Sequence, residues 1–284
     1  MMRAGNVAGV LLALALAACG NVTTPNAATD EAQSGFYQPA RKATDSSGAK
    51  ASKSDVGVLL ETPRLETPSP ETLIRHEGFA ISYNASRCIP NWVAYELTKS
   101  ETYGDVERTD YFDVDPSITG RQAKFGDYSH TGFDRGHMAP AGDMKWSKEA
   151  MDACFYLTNI CPQNHALNKG DWNDLEIKCR QLARKYGRAW IVTGPIVTSK
   201  EPKTIGSHHV VVPDAFFKAI LVPNGSSYAA IAFVMDNAPG DGDIMNDVIS
   251  IDSLENLTGI DFFYALPDEV EDVVEADYKL SIWR

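Results

Sequence analysis

Paired Cys-x-x-Cys knuckles are absent from this chain, no internal repeat is visible, and no lysine or arginine occurs between Asp236 and Tyr278. The first absence argues against a zinc-finger or zinc-ribbon module, and the second against a solenoid or propeller. No apolar run approaches the roughly 20 residues a spanning helix needs. The run from Val7 to Ala18, preceded by Arg3, is too short and closes on small residues, which is the pattern of an exported signal peptide.

The end of that run carries a second signal. Leu16-Ala17-Ala18-Cys19 resembles a bacterial lipobox, which implies that residues 1–18 are removed and that Cys19 carries acyl chains. Two or more chains anchor stably where one does not. The expected location is the bacterial cell envelope, exported and held at a membrane, in the periplasm or at the cell surface. Residues 19–72 are rich in Ala, Ser, Thr, Pro and Lys without helical period or strand alternation, so they read as a flexible tether. Only Val56 to Leu60 has the apolar content to dock. The globular domain is expected over residues 73–284.

Export changes the meaning of the cysteines. Beyond Cys19 there are four, Cys88, Cys154, Cys161 and Cys179, an even number in a compartment that permits disulfides, so structural bridges are the default expectation. Zinc and free buried thiols are the alternatives, and the second outranks the first because Cys packs well as a small apolar residue.

The formal charge of −12 speaks against a polyanionic partner until its distribution is considered. Thirteen acidic residues fall between Asp236 and Tyr278, and the remainder carries 26 basic against 25 acidic. Lys169, Lys178, Arg180, Arg184, Lys185 and Arg188 lie close together against only Asp171, Asp174 and Glu176. That stretch is either a basic binding face or the solvated side of an amphipathic helix.

Alternation predicts strands at Gly78–Tyr83 and Asn91–Leu97, with a third from Asp152 to Ile160 ending at Pro162. Trp172, Leu175, Cys179, Leu182 and Tyr186 recur at helical spacing, so a helix is expected over 172–186 with Gly187 as its stop. Buried strands are expected at Arg188–Gly194, Ala215–Val222 and Tyr228–Met235, and a last helix at Ile249–Thr258 before Gly259. Strands and helices do not alternate strictly, which points to an α+β domain.

Two motifs carry the chemistry: Asp134-Arg135-Gly136-His137, and Asn168-Lys169-Gly170-Asp171-Trp172-Asn173-Asp174-Leu175-Glu176. Together they supply a base, an oxygen ligand and a carboxylate, a set suited to attack of water on a phosphodiester. His137 is the natural general base. Arg135 stays protonated and can pair with phosphate oxygens. Asp134 can orient its neighbours. Magnesium keeps most of its waters, so the amide oxygen of Asn168 plus substrate oxygens suffice, and Glu176 can order the metal-bound waters. Each motif alone is also a respectable turn. His208-His209 is read as a pair of ordinary loop or strand histidines, since neighbours on a strand point to opposite faces.

The run Asp127-Tyr128, Gly132, Asp134-Arg135-Gly136-His137-Met138-Ala139-Pro140, continued by Asn159-Ile160, Pro162-Gln163, Leu167-Asn168, Gly170, Trp172 and Leu175-Glu176, resembles the DNA/RNA non-specific endonuclease family. The resemblance covers most of residues 73 to 270. It implies a ββα-metal (His-Me finger) fold with a central, mostly antiparallel sheet flanked by helices. It further implies His137 as base and Asn168 as sole direct ligand of Mg2+, with Mn2+ the expected substitute. Glu176 would order metal waters, Arg135 would stabilise phosphate charge, and Asn159 would be a supporting polar residue. Arg108, ahead of Phe112 and Asp115, fits the place of a second arginine better than Arg121. The implied activity is cleavage of DNA and RNA with little sequence preference, leaving 5′-phosphorylated ends. A non-catalytic nucleic-acid-binding surface lipoprotein and a phosphodiesterase for small substrates are the rival readings; intact His137, Asn168 and Glu176 argue against the first.

Overall fold

In the computed structural model, residues 60–66 and 68–283 are described. The signal segment, Cys19 and most of the predicted tether lie outside the described residues. The strands are, in chain order, β1 (Arg64–Leu65), β2 (Thr72–His76), β3 (Phe79–Asn84), β4 (Ile89–Thr98), β5 (Phe133–His137), β6 (Ile160–Asn164), β7 (Arg188–Ile196), β8 (Thr204–Ile205), β9 (Val210–Val211), β10 (Ala215–Asn224), β11 (Ser227–Asp236), β12 (Val248–Ile249) and β13 (Ile260–Asp261). The α-helices are α1 (Lys148–Ala153), α2 (His165–Lys169), α3 (Asp171–Tyr186), α4 (Ile251–Thr258), α5 (Asp268–Ala276) and α6 (Leu280–Trp283).

Seven strands form one antiparallel sheet in the order β12-β11-β10-β7-β4-β3-β2. Its middle strands are covered on both sides, which is why they read as near-continuous apolar runs. On β10, Phe216, Ile220 and Val222 join the core of one face, while Phe217, Ala219 and Leu221 join that of the other. The first face is covered by α1, α3 and the β5–β6 ribbon, with Trp172, Leu175, Cys179 and Leu182 of α3 buried. The second is covered by α4 and α5 through Ile251, Leu254 and Val274. Gly187 ends α3 in the left-handed conformation, φ 90°, a position where a side chain is strained.

The strand predicted over Asp152–Ile160 is not there. Ser147 accepts hydrogen bonds from the backbone N–H groups of Glu149 and Ala150 at 3.2 and 3.3 Å and starts α1 instead. Cys154, Phe155, Leu157 and Ile160 are apolar because the segment after α1 is enclosed in the core, not because it alternates. The strand begins only at Ile160 and runs through Pro162. A two-stranded ribbon has an outer edge on each strand, so a missing N–H is tolerated there. The last predicted helix starts two residues later than expected, since Ser250 caps α4 and Val248–Ile249 pair with β11.

Disulfides were the default expectation for Cys88, Cys154, Cys161 and Cys179, and the structure corrects it: all four are free and buried. They act as small apolar core residues, and burial pushes the Cys161 thiol well up. Among the described residues no cysteine belongs to a potential metal-ligand group, and no helix is long and apolar enough to cross a membrane. At the N-terminal edge, β1 pairs with β13 and Leu60 is buried in the second-face core. The final part of the segment read as tether therefore packs on the domain.

Candidate active site

The β5–β6 ribbon and the two helices after it place the motif residues. Gly132 turns the chain into β5 with φ 83°. On β5, Arg135 and His137 are two residues apart and emerge on one face, Asp134 and Gly136 on the other. Gly136 permits close packing with β6, since a Cβ there would lie 2.3 Å from Oε1 of Gln163. Asn164 then caps α2 by accepting from the N–H groups of Ala166 and Leu167, and Asn168 comes one turn later. Glu176 sits on α3, after the Gly170 link.

His137 is 8% exposed. Its ring packs 4.8 Å from that of Phe155 and 5.4 Å from that of Phe112, centroid to centroid. The backbone carbonyl accepts from Nε1 of Trp172 at 3.4 Å. Nε2 is buried with no protein partner. Burial drives the imidazole down to about 3, and the Arg108 charge adds to it. His137 is thus held neutral, with an unspent ring nitrogen.

Arg135 is gripped from behind. Its guanidinium lies 3.9 Å from the Phe125 ring centroid and within 5.5 Å of those of Phe112 and Tyr128, and Nη2 donates to the Phe125 carbonyl at 2.9 Å. Nε has no partner. Arg108 stands over Phe155 at 4.9 Å, and its charge reaches both His137 and Glu176. Arg121 donates instead to the carbonyls of Ser86 and His208, so of the two arginines it is Arg108, paired with Asp110, whose charge reaches His137. Asp115 accepts from His76 Nε2 at 2.8 Å and Thr158 Oγ1 at 2.7 Å, which ties down the loop carrying Arg108 and Phe112.

Asp134 decides how Asn168 faces. Its Oδ2 lies 2.9 Å from Nδ2 of Asn168 and 3.0 Å from Nδ1 of His165. An ionised carboxylate only accepts, so the amide must turn its NH2 toward Asp134 and leave Oδ1 as the outward oxygen. A neutral amide oxygen with a carboxylate nearby fits a hard divalent cation that keeps several waters, and fits poorly a soft metal seeking thiolate or imidazole.

Glu176 is partly buried, and burial raises it to about 7, with Asp143 pushing the same way and Lys218, Arg180 and Arg108 opposing. Beneath it lies a polar network. Asp143, fully buried, accepts from Arg180 Nη1 at 2.6 Å and from the Tyr95 hydroxyl at 2.9 Å. Lys218, also fully buried, holds Nζ 4.6 Å from the Trp172 ring centroid with no hydrogen-bond partner.

Asn159 does not face the site. Its amide accepts from Ala139 N–H at 2.9 Å and donates to the carbonyls of Ala139 and Cys154 at 2.9 and 2.8 Å. It is a positioning residue that clamps the chain just after His137. Asn159→Ala would strand three buried backbone groups at about 1–3 kcal/mol each. It is expected to lower stability by at least about 3 kcal/mol, measured by urea unfolding; a loss under 1 kcal/mol, on the order of a mild surface change, would refute the clamp.

The family model for DNA/RNA non-specific endonuclease matches residues 59–269. The chain belongs to this family. Nuclease EXOG, mitochondrial, of Danio rerio is 38% identical over 207 residues, 67% of this chain and 60% of that protein. Endonuclease G, mitochondrial, of Homo sapiens is 34% identical over 216 residues, 71% of this chain and 73% of that protein. The chain spans between 56% and 60% of the length of the EXOG relatives it matches. A crystal structure of an EndoG/EndoGI complex, described as showing the mechanism of EndoG inhibition, superposes with TM-score 0.69 at 27% identity, covering 78% of this chain and 96% of that one. The fold is α+β of the ββα-metal class.

Within this endonuclease family scaffold, several predicted residues turn out to do other work. The basic stretch on α3 is largely spent internally. Arg180 binds Asp143, Arg184 donates to the Thr102 carbonyl, Lys185 to that of Ile282, and Arg188 pairs with Glu96. His208 pairs with buried Asp127 at 2.9 Å, a loop anchor. The acidic block divides: Asp236, Asp241 and Asp247 line a depression with Asp171 and Leu167 beside α2, while α4 and α5, on the second face, carry seven of the others. Sequence reasoning missed Asp143, Arg180, Tyr95 and Lys218 as parts of the site's support. Lys218 left a signal, since a lysine in the middle of an otherwise apolar buried strand needs a reason to be there.

Proposed function

We propose that the protein is an exported, metal-dependent endonuclease that hydrolyses phosphodiester bonds of DNA and RNA with little sequence preference, leaving 5′-phosphorylated ends. The observation that carries this reading is the unpartnered, buried Nε2 of a neutral His137, on the same strand face as Arg135. A neutral imidazole with a free ring nitrogen can accept a proton from a water bound beside it. Arg135 and Arg108 are the fixed cations for the phosphoryl oxygens as charge builds there. Asn168 Oδ1, turned outward by Asp134, would hold Mg2+ or Mn2+ directly, and Glu176 would hold its waters. When bound, that ion supplies Lewis-acid relief of charge at the leaving oxygen.

Two cations near one imidazole, Arg135 and Arg108, suit a substrate with successive phosphates, a polymer more than a small phosphodiester. Incubating the purified protein with plasmid, single-stranded RNA and a small phosphodiester, in magnesium or in chelator, tests this. Polymer cleavage only in magnesium is expected; none would sink the proposal. The same proposal places the enzyme at the bacterial envelope through an acylated Cys19, on the strength of the Leu16–Cys19 motif. Fatty-acid labelling should be lost in Cys19→Ser, and label retained there refutes the anchor.

Because Glu176 sits near 7 instead of its ordinary 4.5, the free protein gains stability from its neutral form below about 4.5 and loses it as pH rises through about 7. A cation needs the ionised form. Magnesium affinity should therefore climb between about pH 5 and 7 and level off above, and Glu176→Gln should flatten that rise. Calorimetric titration at several pH values checks both; a pH-independent affinity contradicts the role of Glu176.

A further inference from the structure

A second group of carboxylates lies on the other face of the sheet, away from His137. Asp252 and Glu255 stand three residues apart on α4, hence on one side of it, and Glu275 comes from the end of α5. One carboxylate oxygen of each lies within 4.8 Å of the other two. Three carboxylates on a surface mean little by themselves. Here, however, Glu275 is only 6% exposed and its Oε1 is buried with no hydrogen-bond partner.

A buried, unpartnered carboxylate facing two more is costly unless something positive completes it. Among the described residues no salt bridge to Glu275 is present: no lysine or arginine occurs from Asp236 to Tyr278, and Arg64, from the neighbouring β1, is paired with Asp261. Glu255 is already oriented, since its Oε1 accepts from the Phe262 N–H at 2.9 Å. Asp252 is exposed and Glu255 half-buried, which leaves a solvent side for water ligands.

We propose that Asp252, Glu255 and Glu275 form a structural cation site of the calcium class, joining α4 to α5. Oxygens within 4.8 Å of one another can share one ion at the Ca–O distance of about 2.3–2.6 Å. Calcium also accepts irregular coordination by six to eight oxygens, which suits three carboxylates on two helices plus water. The site is independent of the nuclease reading and ties down the C-terminal helices.

The test uses the protein carrying Asn168→Ala, so that the proposed catalytic ion cannot contribute. Titration with calcium should show one ion per chain, and Tm should rise by roughly 5–10 °C at calcium about a hundredfold above Kd, relative to chelator. Adding Glu275→Gln or Asp252→Asn should abolish both signals. Both variants relieve like-charge repulsion and should melt in chelator no lower than their parent, which separates loss of binding from misfolding. Glu275→Gln alone should cleave nucleic acid at the parental rate in magnesium. No calcium-dependent shift in the parent, as when Glu275 simply keeps a proton, overturns the proposal. So does a shift that survives both substitutions.

Discussion

His137→Ala should slow phosphodiester hydrolysis by about 10²–10⁴-fold, the range for losing a positioned general base, with nucleic-acid binding nearly intact. Binding survives because Arg135 is held by Phe125, Phe112 and Tyr128 and not by the imidazole. Turnover does not, because Arg135, the neighbour on the same face of β5, stays protonated and cannot replace the proposed base. An imidazole near 3 is a feeble base on its own. A phosphodiester charge about 4 Å away, at an effective dielectric of about 20, contributes about 4 kcal/mol toward the protonated form. That is enough to return His137 most of the way to ordinary basicity once substrate is bound, so on the proposed mechanism the phosphodiester would arm the base that deprotonates the attacking water. The free protein carries the complementary signature. With a folded value near 3 against an ordinary 6.5, the neutral histidine stabilises the fold above about pH 6.5, and this is lost as pH falls toward 3. His137→Ala should therefore blunt acid destabilisation while removing turnover. Single-turnover cleavage, equilibrium binding and unfolding at several pH values measure all three; cleavage within threefold of the parent, far short of the ~10² expected, would identify another base.

The residues legible in the sequence were those whose role comes from chemistry at fixed spacing. His137 and Arg135 are two apart on a strand, and Asn168 and Glu176 fall on successive helices after a capped turn. The central strands and α3 were legible for the same reason, since Trp172 to Tyr186 keeps one apolar stripe and β7, β10 and β11 are apolar on both faces. The segment from Asp152 to Ile160 was misread from its periodicity because enclosure on every side makes apolar spacing uninformative, while the decisive signal was the Ser147 cap. The cysteines misled because an oxidising compartment only permits disulfides, whereas pairing depends on where four core positions fall in space. The Asp143–Arg180–Tyr95 network could not be seen at all, as its members are brought together from β4, the loop after Pro140 and α3. Arg180 was visible only as part of a basic stretch, and burial converted it from a binding candidate into a brace.

Asn168→Ala should weaken cation binding at the active site by at least the 10–100-fold that loss of a supporting partner costs, and bring hydrolysis down with it, because it removes the proposed direct oxygen ligand. Asp134 sharpens the test. Its Oδ2 takes the Asn168 NH2 at 2.9 Å and so fixes which end of the amide faces outward. Asp134→Leu removes that acceptor and should cost about 10–100-fold in magnesium affinity. Asp134→Asn should cost less than Asp134→Leu, since its own carbonyl can still accept the NH2, but more than nothing, since its rotated amide would favour the wrong orientation of Asn168. His165 is the internal control: it also contacts Asp134, at 3.0 Å through Nδ1, but is not a proposed ligand, so His165→Ala should leave magnesium affinity near that of the parent. The order Asn168→Ala, Asp134→Leu, Asp134→Asn, His165→Ala, from weakest to strongest binding by calorimetry, is what an amide oriented by a carboxylate requires. Equal affinity in the two Asp134 variants would mean that charge, and not orientation, is what Asp134 supplies.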